Sequence, residues 1–150
     1  MPWISGAGGG GGSVKTALVN GNGGGDITTA SASFVDLPGM ATTIAAVAGD
    51  VLAVSFYCTF SINAAPPVSG FFRPMATTSG TVMRQSSVNI TGNAAPTLYA
   101  LTVLYAVVAG DISGGSVAVK MQFAAGSATL TVANSTTTIA PQLSVVNLLH

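Results

Sequence analysis

The chain has 150 residues, of which 49% are apolar and only 5% charged, with four basic residues, four acidic ones and a formal net charge of zero. Soluble domains carry about 25% charged residues, so an exterior this poor in ions points to a surface covered by neighbouring protein. Scattered cations at Lys15, Arg73, Arg84 and Lys120 make no patch for phosphates, which excludes nucleic acid as a partner.

Ten of the 19 glycines fall in the first 25 residues, in the runs 6–12 and 21–25. Such runs lose too much backbone entropy to order alone. Between them lies a β-prone segment, residues 14–20. Residues 1–25 are therefore expected to form a Gly-rich extended arm that docks on a neighbour through Trp3, Ile4, Val14, Leu18 and Val19, with 14–20 added as a strand to a neighbouring sheet. Met1–Ser5 has no positive charge and runs into glycine, unlike an export signal.

From residue 26 onward Val, Thr, Ser and Ala dominate, broken by Gly, Pro, Asn and Asp. β-branched residues favour strands, and no capped 3.6-residue period appears. Many short strands with frequent turns predict an antiparallel sandwich or barrel over 26–150. Candidate strands are 28–36, 41–47, 51–62, 81–90, 97–108, 117–123, 129–132 and 142–149. The clearest is 51–62, with Leu52, Val54, Phe56, Cys58, Phe60 and Ile62 on one face and small or polar residues on the other.

Strand 97–108 is apolar on both faces. Leu98, Leu104 and Val108 alternate with Tyr99, Leu101, Val103, Tyr105 and Val107. A sandwich strand has one core to face, so the second face needs another cover, here an identical subunit. Tyr99, Leu101, Val103, Tyr105 and Val107 are the expected interface residues. Two turns share the sequence Val-Ala-Gly-Asp, at 47–50 and 108–111. Their chemistry suits tight corners of a sandwich.

Catalytic chemistry finds little to work with. His150 is the only histidine and stands last, and the four carboxylates Asp26, Asp36, Asp50 and Asp111 sit in or near turn sequences. Asp50 with Asp111 is too small a set for a calcium signature. The glycine run lacks the strand and helix of a dinucleotide site. Cys58 stands alone, which excludes an internal disulfide and reads as a small buried apolar residue. The longest apolar stretch, 98–109, is too short for a bilayer span. The expectation is a non-enzymatic chain with no cofactor, no metal, no nucleic acid and no membrane partner. Phe71, Phe72 and Tyr99 have the ring type that stacks on sugars, though packing is the commoner use.

Three segments carry a family likeness: Val117–Phe123, Gly126–Val132 and Pro141–Leu148, joined in the first half by Phe34–Met40 and the turn at 48–50. Together they resemble bacteriophage virion jelly-roll proteins, among them capsid decoration or cement proteins, head fibres and tail-fibre tips. That fold is similar to the trimeric jelly roll of tumour necrosis factor and the complement globular head. The resemblance implies a homotrimer on the capsid surface of a virion, stabilising the shell and seated on a major capsid protein or another virion protein. An alternative within the same likeness is a receptor- or carbohydrate-binding module at a fibre tip, with its pocket in loops 63–80. The long glycine arm departs from the fibre-tip pattern and favours the capsid-bound form.

Overall fold

The computed structural model describes residues 15–21, 23–63, 68–90, 96–126, 128–134 and 140–148. They form eleven strands: β1 (Lys15–Asn20), β2 (Ile27–Thr29), β3 (Val35–Ala45), β4 (Val51–Asn63), β5 (Val68–Ala76), β6 (Ser86–Ile90), β7 (Thr97–Ala106), β8 (Ile112–Ser113), β9 (Ser116–Ala125), β10 (Thr129–Val132) and β11 (Gln142–Asn147). All strand pairings among them are antiparallel. Two sheets result, and the fold is a jelly-roll β-sandwich.

The first sheet is organised on β4. One flank of β4 pairs with β7 from Val51↔Ala106 to Phe60↔Thr97. The other flank is shared, with β11 along Leu52–Tyr57 and β10 along Phe60–Asn63. β1 lies beyond β11, and β2 beyond β10. The second sheet runs β3-β9-β5-β6, with β8 folded back on β9. Period-two burial follows directly from the sequence. Leu52 through Ile62 on β4, Leu143 and Val145 on β11, and Leu130 and Val132 on β10 point inward. Val117, Val119, Met121 and Phe123 on β9 meet them from the opposite sheet.

Several boundaries differ from the sequence pattern. The expected strand 28–36 is broken, because residues 30–34 leave the sheet after β2 before β3 begins. β3 then runs through Pro38-Gly39, where the register shifts between Asp36 and Ala41 and Gly39 takes φ +75°. That conformation suits glycine at a bulge. The expected strand 81–90 shrinks to β6 plus a single bridge at Val82. The span 63–80, read as loop, contains all of β5 instead. Pro74 disguised it. Its carbonyl accepts from Met83 N–H, so its missing N–H falls on the side away from β9, past the last β5–β6 pair at Phe72↔Ser86. The ladder to β9 therefore continues through proline.

The twin turns share their chemistry as expected. Val47 N–H donates to Asp50 Oδ2 and Val108 N–H to Asp111 Oδ2, both at 3.0 Å. Asp50 N–H and Asp111 N–H return to the Val47 and Val108 carbonyls. Both carboxylates are buried. Asn147 Nδ2 donates to Asp50 at 2.6 Å and to the Ala45 carbonyl at 3.2 Å, which ties β11 to the turn. Asp111 is reached by the Ser79 hydroxyl and by Tyr105 Oη at 2.6 Å, which ties it to the loop after β5 and to β7.

Burial opposes the charged form of Asp111, but the hydrogen bonds from Ser79, Tyr105 and Val108 N–H outweigh it and hold the carboxyl below its ordinary value of 3.8. Burial, then the bond to Asp111, pushes the Tyr105 phenol up to about 12. A lowered folded value means that the stabilisation is present above the unfolded value and is lost as pH falls through the folded one. The melting temperature should therefore fall with acidification below about pH 4, and Asp111→Asn should flatten that dependence. Asp111→Ala, which strands three donors, should cost about 1–3 kcal/mol in urea denaturation.

Candidate functional site

The two sheets present different outer faces. On the second sheet, Asp36 accepts from Lys120 Nζ and Gln122 Nε2, both at 2.8 Å, and Arg73 Nε donates to Gln122 Oε1 at 2.9 Å. The Arg73 guanidinium lies 3.9 Å from the centroid of Phe34, which meets Phe71 edge-on. The Lys120 ammonium, then Gln122, hold the Asp36 carboxyl below its usual range. This network is partly open to water, and an exposed ion pair of this kind adds little to stability. It does keep that face wet and charged.

The first sheet's outer face carries no charged side chain on any strand. Its registers set three rows across four strands: Thr16–Val146–Ala53–Leu104, Leu18–Ser144–Ser55–Thr102 and Asn20–Gln142–Tyr57–Ala100. Thr59 beside Leu98 and Val51 beside Ala106 extend it on β4 and β7. Polar groups on this face bond sideways to one another. Gln142 Nε2 donates to Asn20 Oδ1, and the Ser55 and Thr102 hydroxyls lie 3.2 Å apart. Groups already paired lose less when water leaves. Leu18, Leu98, Leu104 and Leu148 are exposed at 55%, 63%, 68% and 49%. Four strands of this length span on the order of 500 Å² in plane, comparable in scale to the roughly 800 Å² each partner gives to a specific interface. The arrangement can exclude water against another protein surface.

The structure relocates most of the sequence-derived residues. β1 pairs along its whole length with β11 of its own chain, so the sandwich begins by Lys15 and not at residue 26, and the strand is not lent to a neighbouring sheet. Val19 packs against the core, while Leu18 points out. Trp3, Ile4 and Val14 lie outside the described residues. On β7 the interface expectation falls on the wrong face. Val103 and Val107 are buried in this subunit's own core, Tyr99 stacks on Phe72 at 4.8 Å, and Leu101 and Tyr105 are half-buried on the same side. The face left open is the other one, Leu98, Ala100, Thr102, Leu104 and Ala106. Sequence showed that β7 was apolar on both sides; only the second sheet shows which side the core takes.

Phe72 is fully buried, so among the sugar-stacking candidates it serves packing. Cys58 is also fully buried, and desolvation pushes its thiol up to about 12. A shallow cavity of about 550 Å³ opens between the β1–β2 connection and the β3 bulge, with Asn20, Asp26, Pro38 and Asn134 in its wall. Among the described residues no helix is long and apolar enough to cross a membrane.

No protein-family model matches the chain, and no curated protein matches it in sequence. Solved structures do resemble it. VP2 of infectious bursal disease virus, in a subviral particle, aligns with a TM-score of 0.50 at 10% identity, over 90% of this chain and 33% of that one. This chain thus spans about a third of VP2. PRD1 vertex protein P5 aligns at 0.49 and 12% identity, over 91% and 96% of the two chains. Eiger TNF from S. frugiperda aligns at 0.49 and 8% identity, over 89% and 92%. The likeness to VP2 is one of fold, and agrees with the jelly-roll sandwich built above.

Two measurements check the relocated residues. Compared with removal of residues 1–14, removal of 1–20 takes β1 from the sheet and should lower the urea midpoint markedly. A thiol reagent should leave Cys58 unmodified in the native protein and label it fully after unfolding.

Proposed function

We propose that this chain is a non-enzymatic structural protein of a virus particle, a homo-oligomer that decorates and stabilises a capsid. The observation that carries the reading is the uncharged outer face of the first sheet, opposite a charged and solvated second sheet. An uncharged face opposite a charged one suits a subunit that buries one side against its sister copies and keeps the other side wet. The VP2 likeness supports the particle setting, since that structure is a subviral particle.

The sequence resemblance adds a trimer seated on a major capsid protein or another virion protein. Burial contributes on the order of 25 cal/mol per Å², and repetition over many lattice sites multiplies weak contacts through avidity. That combination opposes swelling of a shell under internal pressure. The carboxylates support a role without catalysis: Asp50 and Asp111 are consumed by turns and Asp36 by Lys120.

Charges placed on the open face test the assembly. Leu18→Lys and Ser144→Lys, made singly, sit on outward positions and should each change monomer stability by no more than about 0.5 kcal/mol. Light scattering should show the wild-type chain as an oligomer and each variant as a smaller species. A wild-type protein that stays monomeric at high concentration defeats the reading. A mass-spectrometric inventory of purified particles should contain the chain in many copies per particle.

A further inference from the structure

β7 is an edge strand. It pairs with β4 on one side and, among the described residues, with no strand on the other. The hairpin end fixes which residues face outward along the sheet. Val107 N–H donates to the Asp50 carbonyl, and the Val107 carbonyl accepts from Gly49 N–H, so Val107 faces β4. Alternation along an antiparallel strand then turns the N–H and C=O groups of Leu98, Ala100, Thr102, Leu104 and Ala106 away from β4. The side chains of those five are also exposed.

Sheet edges are normally blunted by shortness, lysine, proline or a bulge. The other edges here are. β1 has six residues and begins with Lys15, β2 has three, β6 has five, and β3 is bulged at Pro38-Gly39. β7 has ten residues with no charge, no proline and no bulge. An edge so long and unguarded is built to be covered.

We propose that β7 pairs with β7 of a second copy, antiparallel across a two-fold axis at Thr102, forming one continuous sheet through both subunits. The register follows from the chemistry of the strand ends. With Thr102 opposite Thr102, Leu98 opposes Ala106 and Ala100 opposes Leu104. All five outward-facing residues are then paired, each leucine meets an alanine, and each pair exchanges two hydrogen bonds. One alternative register sets Ala106 against Pro96, which has no N–H to give. The other sets Leu98 against Val108, whose N–H and C=O are already bonded to Asp111. A strand without charge brings no like charges together when it meets itself. The contact goes beyond the face-mediated assembly proposed above, because pairing within the plane of the sheet leaves the outward rows of β1, β11 and β4 uncovered.

Single cysteines in the full chain test the register. Opposed residues of a hydrogen-bonded pair have Cα atoms about 5.5 Å apart, within disulfide reach. Thr102→Cys should therefore form a covalent dimer under mild oxidation, at least tenfold more than Leu98→Cys, whose mates lie about 27 Å apart along the strand. Leu98→Cys mixed with Ala106→Cys should crosslink where neither does alone. If Thr102→Cys fails to fold, Ala100→Cys mixed with Leu104→Cys gives the same readout. Equal yields from Thr102→Cys and Leu98→Cys, or no crosslink in the mixtures, overturn the proposal. Crosslinking by a protein absent from particles overturns the virion reading and leaves the edge contact standing. Particle association without crosslinks does the reverse.

Discussion

Everything in the first sheet is referred to β4. Its thirteen residues alternate without interruption, and its inward side chains from Leu52 to Ile62 are buried nearly completely against the second sheet. Because that face is fixed, a slip of one residue would turn the whole set to water. The register of β4 is therefore strongly specified, and β7, β10 and β11 inherit theirs from it. The outward rows are a consequence. Once Phe56 and Phe60 must face in, Ser55, Tyr57 and Thr59 must face out, and their partners on β7 and β11 with them.

Charge is distributed as sharply as apolar surface. Two carboxylates close turns at one end of the sandwich, where hydrogen bonds replace the water they lose. Asp36, Lys120 and Arg73 gather on the second sheet. Of the eight charged side chains, Asp26 and Arg84 lie between strands and Lys15 shares the inward side of β1 with Ala17 and Val19, so none stands on the outer face of the first sheet. A surface of backbone-paired strands carrying Thr, Ser, Ala and Leu gives up little to be dried, and that cheapness is what makes it suited to protein contacts.

Much of this was legible from residue order. Strict alternation marked β4 and β9, and the repeated Val-Ala-Gly-Asp marked two turns with the same bonding. Both rest on local constraints: the two-residue side-chain period and the reach of an aspartate to its own backbone. What stayed hidden depends on partners far along the chain. β5 was unreadable because Pro74 counts against a strand unless its missing N–H falls outside the ladder. The inward side of β7 was unreadable because both its faces are apolar, and only Phe72 on β5 selects the one with Tyr99. β1 was read as part of the arm for a similar reason, since nothing in Lys15–Asn20 announces that β11 lies waiting 120-odd residues later.

β11 lies between β1 and β4, joined to both over its full length. A ribosome making this chain releases β1 and β4 long before their shared neighbour exists. The sheet cannot close until Asn147 has been polymerised, so the sandwich matures only once its last strand has emerged. Until then the flank of β4 that β11 will cover stays bare, and crowded nascent chains have that interval in which to find each other instead. Sequence separations of this size also make for slow folding. Growth temperature and expression rate should thus govern the soluble yield of this protein more than its final stability does.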